Sequence, residues 1–306
     1  MTGGLATGAT VRDALATAVA RLAAAGVPEP RADAELLLAH VLGADRTALV
    51  VRARDALDAS VAAQFDAVVC RRLAREPAAY ITGEREFWSL PLHVDPRVLI
   101  PRPETEILVA TALRVAPRAR RVLDVGTGSG AVAVALAHEL VTATIVATDR
   151  YAPPLAVAAT NRARLAPRVA LVQGDLLAPF RTRSFDLVVA NPPYCAEGTV
   201  VQAEVRDWEP TTALYAGPDG LDVLSALVAQ APRVLAPDGW LVLEVGAGQA
   251  DAVVASARRT ERYGLVEIVR DYAGIDRVVA AMVGGGRKTG VSRREPSDTE
   301  GMWTRS

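Results

Sequence analysis

The nonapeptide VLDVGTGSG, residues 122–130, is the most informative local pattern in the chain. Its apolar half is typical of a buried β-strand, and its glycine-rich half lets the backbone turn sharply and approach a ligand closely. The next stretch, residues 131–140, reads as a helix whose first turn would present unpaired N–H groups to that ligand. A strand, a glycine-rich turn and a helix in this order predict a ligand-binding loop of an α/β protein.

Apolar runs and helical stretches alternate from residue 119 onward, which predicts a parallel sheet covered by helices on both faces. The predicted strands are residues 121–125, 144–148, 169–173, 185–190, 240–245, 264–269 and 277–282. The link between the last two is too short for a crossover, so the final strand is expected to run antiparallel. The sequence therefore predicts a Rossmann-like, mainly parallel seven-stranded core.

The beginning of the chain has helical periodicity instead. Residues 10–76 are rich in Ala and Leu and read as about four helices, and Thr10 and Asp13 are spaced as a capping box that opens the first. We expect a helical domain at residues 1–76, a hairpin linker at 77–106, the α/β domain at 107–283 and a disordered, Gly-, Ser- and charge-rich tail at 284–306.

Composition limits the possible partners and the compartment. The 34 Lys and Arg residues are balanced by 35 Asp and Glu residues, so no global basic field exists and no stable binding of nucleic acid is expected. The two cysteines, Cys70 and Cys195, are far apart, which favours a reducing compartment and no zinc site. No apolar run is long enough to span a membrane, so we expect a cytoplasmic protein without membrane contact or bound metal.

The residues around the glycine-rich loop favour an adenosyl cofactor. Asp149 lies 19 residues after Gly130, at the end of the next predicted strand, where a carboxylate can accept both hydroxyls of a ribose. The glycine spacing also fits a dinucleotide-binding loop. Asp124 favours S-adenosylmethionine over NAD because a carboxylate attracts the ammonium group of the methyl donor, whereas a pyrophosphate would be repelled.

Further cofactor contacts are expected where the following strands end. Asp175 could accept a hydrogen bond from the adenine amino group, and Leu176 could pack on the ring. The complete set of expected cofactor contacts is Gly126, Thr127, Gly128, Ser129, Gly130, Asp149, Asp175, Leu176 and Asn191.

The tetrapeptide Asn191-Pro192-Pro193-Tyr194 follows the predicted strand 185–190 and indicates the chemistry. An amide nitrogen is a poor nucleophile, so a methyltransferase must orient it and offer acceptors for its hydrogens. The Asn191 side-chain oxygen and the Pro192 carbonyl are the candidates, and the aromatic ring of Tyr194 could wall a planar target. Adenine N6, a guanine amino group and a glutamine side chain all present a planar NH2 group, so the tetrapeptide alone leaves these three open.

Flanking motifs carry a resemblance to a known family. The stretches 83–91 (GEREFWSLP) and 99–106 (LIPRPETE), followed by residues 191–194 and by Trp208-Glu209-Pro210, resemble the release-factor glutamine methyltransferase (PrmC/HemK) family over roughly residues 10–283. The resemblance implies a class I methyltransferase core, S-adenosyl-L-methionine as methyl donor and S-adenosyl-L-homocysteine as product. The acceptor it implies is N5 of the glutamine in the Gly-Gly-Gln motif of bacterial peptide chain release factors.

The resemblance also assigns roles to individual positions. Asn191, Pro192 and Tyr194 would be the catalytic residues, residues 191–194 together with Phe87 would bind the glutamine, and the Arg102-Pro103-Glu104 turn would border the pocket. The helical domain would dock the release factor. The alternatives are a nucleic-acid amino-methyltransferase acting on adenine N6 or guanine N2, which needs a basic groove beside Asn191, and a non-enzymatic module that binds an adenosyl ligand.

Overall fold

The structure, a computed structural model, describes residues 8–284 and 290–295. The chain divides into two compact units. The first consists of residues 8–84 together with Val201–Trp208, and the second of Arg85–Val200 and the described residues from Glu209 onward. In the described part of the chain, no helix is both long enough and apolar enough to cross a membrane.

The first unit is a bundle of helices. Thr10 caps the first helix, accepting the Asp13 N–H at 3.2 Å, and both halves of the predicted capping box are present. The predicted four helices over residues 10–76 are confirmed, and their core includes the fully buried Leu22, Leu37 and Phe65. The helices of this unit are α1 (Val11–Ala24), α2 (Pro30–Leu42), α3 (Arg46–Val51), α4 (Ala59–Leu73), α5 (Ala78–Thr82) and, much later in the chain, α9 (Ala203–Trp208).

A buried ion cluster ties α9 to the rest of the first unit. The carboxylate of Glu204 accepts hydrogen bonds from Arg72 at 2.8 Å and from Arg75 at 2.7 Å, and Arg72 also donates to Asp33 at 2.7 Å. Arg72 is 4% and Glu204 8% exposed, so each charge depends on its partners for the solvation that it has lost. The first unit is therefore completed by a segment that the chain supplies more than a hundred residues later.

The second unit is built around a sheet of eight described strands in the order β10-β8-β9-β7-β6-β3-β4-β5. β9 is antiparallel to both β7 and β8, which confirms the expected reversal, and the other pairs are parallel. The strands are β3 (Arg121–Val125), β4 (Thr144–Asp149), β5 (Ala170–Gln173), β6 (Phe185–Ala190), β7 (Leu235–Glu244), β8 (Tyr263–Arg270), β9 (Asp276–Val283) and β10 (Gly290–Arg294). The Rossmann-like class I core is thus present.

Helices cover both faces of this sheet. Successive residues of β3 point to opposite faces, so Val122 belongs to one apolar cluster and Leu123 to the other. The helices are α6 (Thr105–Val115), α7 (Ala131–Glu139), α8 (Ala152–Leu165), α10 (Asp222–Val234) and α11 (Ala250–Arg259), with a 3₁₀ turn at Thr211–Ala213. A separate two-stranded sheet, β1 (Glu84–Phe87) and β2 (Leu90–His93), precedes them.

The expectation of a disordered tail is wrong for residues 290–294. They form β10, which pairs in parallel with β8 and adds a strand to the seven that were predicted. The edge of β8 offers unpaired backbone groups, and Arg293 bonds to Asp276 at 3.3 Å and to Asp251 at 2.7 Å. An edge strand with exposed faces lacks the apolar alternation that sequence patterns detect. The rest of the expected tail, residues 285–289 and 296–306, lies outside the described residues.

Candidate active site

Four neighbouring parallel strands end at one edge of the sheet and form a cavity of about 520 Å³. In open α/β sheets this carboxyl edge is where ligands bind, and a volume of a few hundred Å³ suits a small organic molecule. Ten of the residues predicted to form the site line the cavity: Gly126, Thr127, Gly128, Ser129, Asp149, Asp175, Leu176, Asn191, Pro192 and Pro193.

The glycine-rich loop is held in shape by backbone bonds to the next strand. The N–H groups of Gly126 and Thr127 both donate to the Thr148 carbonyl at 2.9 Å. Gly128 adopts a φ of 54°, in the region that favours glycine, and donates its N–H to Oδ2 of Asp149 at 3.1 Å. The Asp149 carboxylate is therefore fixed between the loop and the end of β4, with its remaining lone pairs available to a ligand.

Asn161 of α8 supports the loop from behind. This residue is fully buried, accepts the His93 N–H at 2.7 Å and donates through Nδ2 to the carbonyls of His93 and Ser129, both at 2.8 Å. One side chain thus joins β2 to the loop that lines the cavity. Sequence reasoning missed Asn161, because its partners lie 32 and 68 positions away in the chain.

Asp124, just ahead of the loop, is a buried carboxyl whose ionised form is disfavoured by its surroundings. Its side chain is 1% exposed and accepts a hydrogen bond from Thr127 Oγ1 at 2.6 Å. Burial raises the pKa of Asp124 to about 7, against which the bond from Thr127 acts. A cation bound at the adjoining part of the cavity would favour the ionised form of this carboxyl.

The tetrapeptide at the end of β6 is anchored by side-chain bonds. Asn191 donates from Nδ2 to Oγ1 of Thr105 at 3.0 Å, and the Tyr194 hydroxyl donates to Oε1 of Glu244 at 3.3 Å. Among the described residues, neither Oδ1 of Asn191 nor the carbonyl of Pro192 accepts a hydrogen bond. Two acceptors at the cavity wall are therefore available to the hydrogens of a planar NH2 group.

Three predicted site residues do not line the cavity. Phe87 is 2% exposed and packs inside the apolar core, because its place on β1 turns its ring inward. Tyr194 directs its hydroxyl to Glu244 instead of walling the cavity, and Gly130, with a φ of 84°, caps α7 and packs against Ala158.

The turn at residues 102–104 does not itself line the cavity, but the residues on either side of it, Pro101 and Thr105, do. Arg102 pairs with Glu209 at 2.5 Å. Besides Asn161, sequence reasoning missed Thr105 and Glu244, which hold the side chains of Asn191 and Tyr194. An acidic residue ending an apolar strand, as Glu244 does, is the signal that could have found one of them.

Comparisons with known proteins agree with this geometry. Residues 13–83 match the family described as PrmC N-terminal domain, and residues 103–207 match the family described as Methyltransferase small domain. Among solved structures, the hMettl16 catalytic domain in complex with the MAT2A 3′UTR hairpin 6 superposes with a TM-score of 0.52 at 17% identity, over 68% of this chain and 82% of that one. At that identity the likeness shows the fold alone.

Curated relatives are much more similar to this chain. The protein of Geobacter sulfurreducens named release factor glutamine methyltransferase is 43% identical over 279 residues, which cover 90% of this chain and 97% of the relative. The Escherichia coli K12 protein of the same name is 41% identical over 253 residues, 81% of this chain and 91% of the relative. Identity of this order over nearly the whole length of both chains, together with a matching N-terminal domain, shows that the chain belongs to the release factor glutamine methyltransferase family.

Proposed function

We propose that the protein transfers a methyl group from S-adenosyl-L-methionine to the side-chain amide nitrogen, N5, of the glutamine in the Gly-Gly-Gln motif of peptide chain release factors. One observation carries the proposal. Oδ1 of Asn191 and the carbonyl of Pro192, which accept no hydrogen bond from any described residue, belong to residues that line the cavity where β6 ends. A primary amide has two N–H hydrogens, and these acceptors match them.

The residues around the cavity suit the methyl donor. Asp149 would hold the ribose hydroxyls, since its position is already fixed by the Gly128 N–H. Asp124 would meet the ammonium group of the methionine part, because it lines the cavity and a nearby cation favours the ionised form of its carboxyl. Asp175 and Leu176 would hold the adenine, and the whole set lines one continuous cavity. When bound, the donor supplies an electrophilic methyl group on a sulfonium.

The chain's part in the transfer is orientation. The lone pair of an amide nitrogen is delocalised into the carbonyl, so attack requires the nitrogen to be held in line with the methyl group. Asn191 and Pro192 would hold its two hydrogens, and the fixed φ of Pro192 stiffens the carbonyl that does so. The product nitrogen then carries a surplus proton that is strongly acidic, so no strong base is required. Because only the correctly placed nitrogen is held, these contacts favour the transition state over free substrate.

The first unit would dock the release factor, and the protein would act in the cytoplasm, where release factors function. The match of residues 13–83 to the PrmC N-terminal domain supports this assignment. If it is correct, the whole factor should be methylated with a much higher kcat/KM than a short peptide that contains Gly-Gly-Gln, because only the factor can contact the first unit.

The experiment is incubation of the full chain with labelled S-adenosylmethionine and a purified release factor, followed by mass mapping of the product. We expect a single methyl group on the Gly-Gly-Gln glutamine and none on a factor in which that glutamine is replaced by alanine. Asn191→Ala should abolish transfer and leave donor affinity nearly unchanged. Thr160→Ala, an exposed change on α8, is the matched control and should behave as the wild type.

Parallel reactions with DNA and RNA test the alternative. Label on an adenine or guanine amino group, or on another residue of the factor, would overturn the proposal. An equal loss of donor affinity and transfer in Asn191→Ala would overturn the orienting role of that residue.

A further inference from the structure

Two segments that the methyl-transfer chemistry leaves unused meet at one buried side chain. Glu209 accepts a hydrogen bond from the backbone N–H of Ile100 at 3.2 Å and another from the guanidinium of Arg102 at 2.5 Å. The two donors lie 109 and 107 positions earlier in the chain, and all three residues belong to the second unit. A single carboxylate therefore joins the segment that leads into α6 to the segment that begins at residue 209. We call these three residues the Glu209 clamp.

The burial of this carboxylate requires a reason beyond packing. The side chain of Glu209 is only 1% exposed, whereas that of Arg102 is 32% exposed. A carboxylate taken out of water loses its hydration, and here the two donors take the place of the lost water. Uncharged side chains of similar size commonly fill such a space at least as well. The charge is therefore explained by what it holds in place.

Each of the two joined segments contributes a proline to the wall of the cavity. Pro101 lies between the two residues that Glu209 holds, and Pro210 follows Glu209 directly. A proline has a fixed φ and no N–H, so this wall is stiff and offers no donor that would compete for the acceptors of Asn191 and Pro192. The position of the carboxylate therefore determines the position of both rings.

Both segments are also bonded to the tetrapeptide or to its neighbour. The carbonyl of Arg102 accepts the N–H of Thr105 at 3.1 Å, and the hydroxyl of Thr105 accepts Nδ2 of Asn191 at 3.0 Å. On the other segment, the carbonyl of Leu214 accepts the N–H of Cys195, the residue after the tetrapeptide, at 2.8 Å. The walls that the clamp joins are therefore the walls that hold the two ends of the tetrapeptide.

We propose that Glu209 is a positioning residue, which fixes the distance between Pro101 and Pro210 and so holds the acceptor amide in line with the methyl group. The inference rests on the proposed function, since it assumes a planar acceptor beside Asn191. Glu209 does not line the cavity and acts only through the wall. If the two rings moved apart, fewer bound orientations of the acceptor would place its nitrogen in line with the methyl group.

Three single variants test the clamp. Glu209→Gln keeps the size of the side chain but replaces one acceptor oxygen by an NH2 group, so one of the two hydrogen bonds is lost. Arg102→Met removes the guanidinium, and Arg102→Lys keeps the charge and can restore one hydrogen bond. We expect kcat to fall by about 10- to 100-fold in Glu209→Gln and Arg102→Met, as it does for a displaced reacting group, and to recover substantially in Arg102→Lys.

KM and donor affinity show where the loss arises. Under the proposed function the factor is bound by the first unit, so its KM should remain nearly unchanged in the clamp variants. The contacts of the glycine-rich loop are also retained, so donor affinity, measured by calorimetry, should change much less than kcat.

A double variant separates positioning from stability. Arg102→Met alone leaves a buried charge without its counter-ion, so it should unfold at a lower temperature than the wild type. Adding Glu209→Gln removes that charge, so the double variant should regain much of the lost stability and still be slow. If the pair only stabilised the fold, rate and stability would recover together.

The matched control is Glu267→Gln, which neutralises another buried carboxylate that pairs with an arginine of the second unit. Glu267 of β8 is 5% exposed, pairs with Arg114 at 2.8 Å and does not line the cavity. Its kcat should equal that of the wild type.

Four outcomes would each overturn the clamp: wild-type kcat in Glu209→Gln, joint recovery of rate and stability in the double variant, an equal loss of kcat in Glu267→Gln, or a loss of donor affinity as large as the loss of kcat. Failure of the proposed function is read separately, from the wild type, as absence of label on the glutamine. The clamp is judged by the ratio of variant to wild-type rate on whichever acceptor the wild type methylates.

Discussion

Replacing Asn161 with alanine should loosen the cofactor loop and destabilise the second unit. The change removes three hydrogen bonds, those that Asn161 makes with the N–H and the carbonyl of His93 and with the carbonyl of Ser129. A buried polar group that loses its partner costs about 1–3 kcal/mol. His93 is only partly buried, so water can replace two of the lost bonds, whereas the bond to Ser129 is buried. We therefore expect a loss of about 3 kcal/mol, which lowers the melting temperature by roughly 6–12 °C for a unit of this size.

The measurement is urea denaturation followed by circular dichroism, with thermal melting and donor affinity determined on the same samples. Thr160→Ala, which removes an exposed hydroxyl bonded to its own helix at 3.2 Å, is the control on the neighbouring residue. Donor affinity should fall in Asn161→Ala and not in the control. A loss of stability no larger than that of Thr160→Ala would refute the bracing role of Asn161, and unchanged donor affinity would refute its link to the loop.

Three further changes have expected outcomes. Gly174→Ala would place a Cβ atom 2.2 Å from Cγ of Pro179, so thermal melting should show a loss of about 1–3 kcal/mol. Gly284→Ala, whose Cβ would have no atom of the described residues within 4 Å, is the control and should show no loss; equal losses in the two variants would contradict the clash. The folded pKa of Asp124, about 7, exceeds its ordinary value of 3.8, so the wild type should lose stability as pH rises from about 4 to 7, whereas Asp124→Asn should not. Urea denaturation at several pH values measures this, and a difference in unfolding free energy between the two proteins that stays constant with pH would contradict it. Glu204→Ala should destabilise the first unit by about 3–5 kcal/mol, seen as faster hydrogen exchange in its helices, and unchanged protection would argue against the ion cluster.

The sheet could be predicted from the sequence because its strands are apolar on both faces. The predicted limits of β3 and β6 agree with the structure, and the short link before β9 correctly implied its reversal. The extra strand β10 could not be predicted, because it is polar and exposed and depends on pairing with β8. The pattern of apolar residues along the chain predicts strands that are buried on both faces. It does not predict a strand that forms only by pairing with a distant segment.

The cavity wall shows the same limit. Residues next to glycine-rich turns and strand ends were predictable, since position in the fold determines where they point. Phe87 was assigned to the pocket from its motif, but strand alternation turns it into the core. Thr105 and Asn161 could not be assigned from the sequence, because their contacts join separate elements 86 and 68 positions apart. The place of Glu244 at the end of an apolar strand could mark it as a candidate, but its contact with Tyr194, 50 positions away, could not be predicted.

The placement of α9 has a consequence for modularity. The chain passes between the two units after residue 84, after residue 200 and after residue 208, so the first unit is discontinuous in the gene. A fragment that ends at residue 84 would lack Glu204 and leave the buried guanidinium of Arg72 and its neighbour Arg75 short of a counter-charge. Exchange of the helical unit between relatives would therefore succeed only if Val201–Trp208 is exchanged with it. Substitutions in the N-terminal helices and in Val201–Trp208 are therefore expected to occur together in evolution.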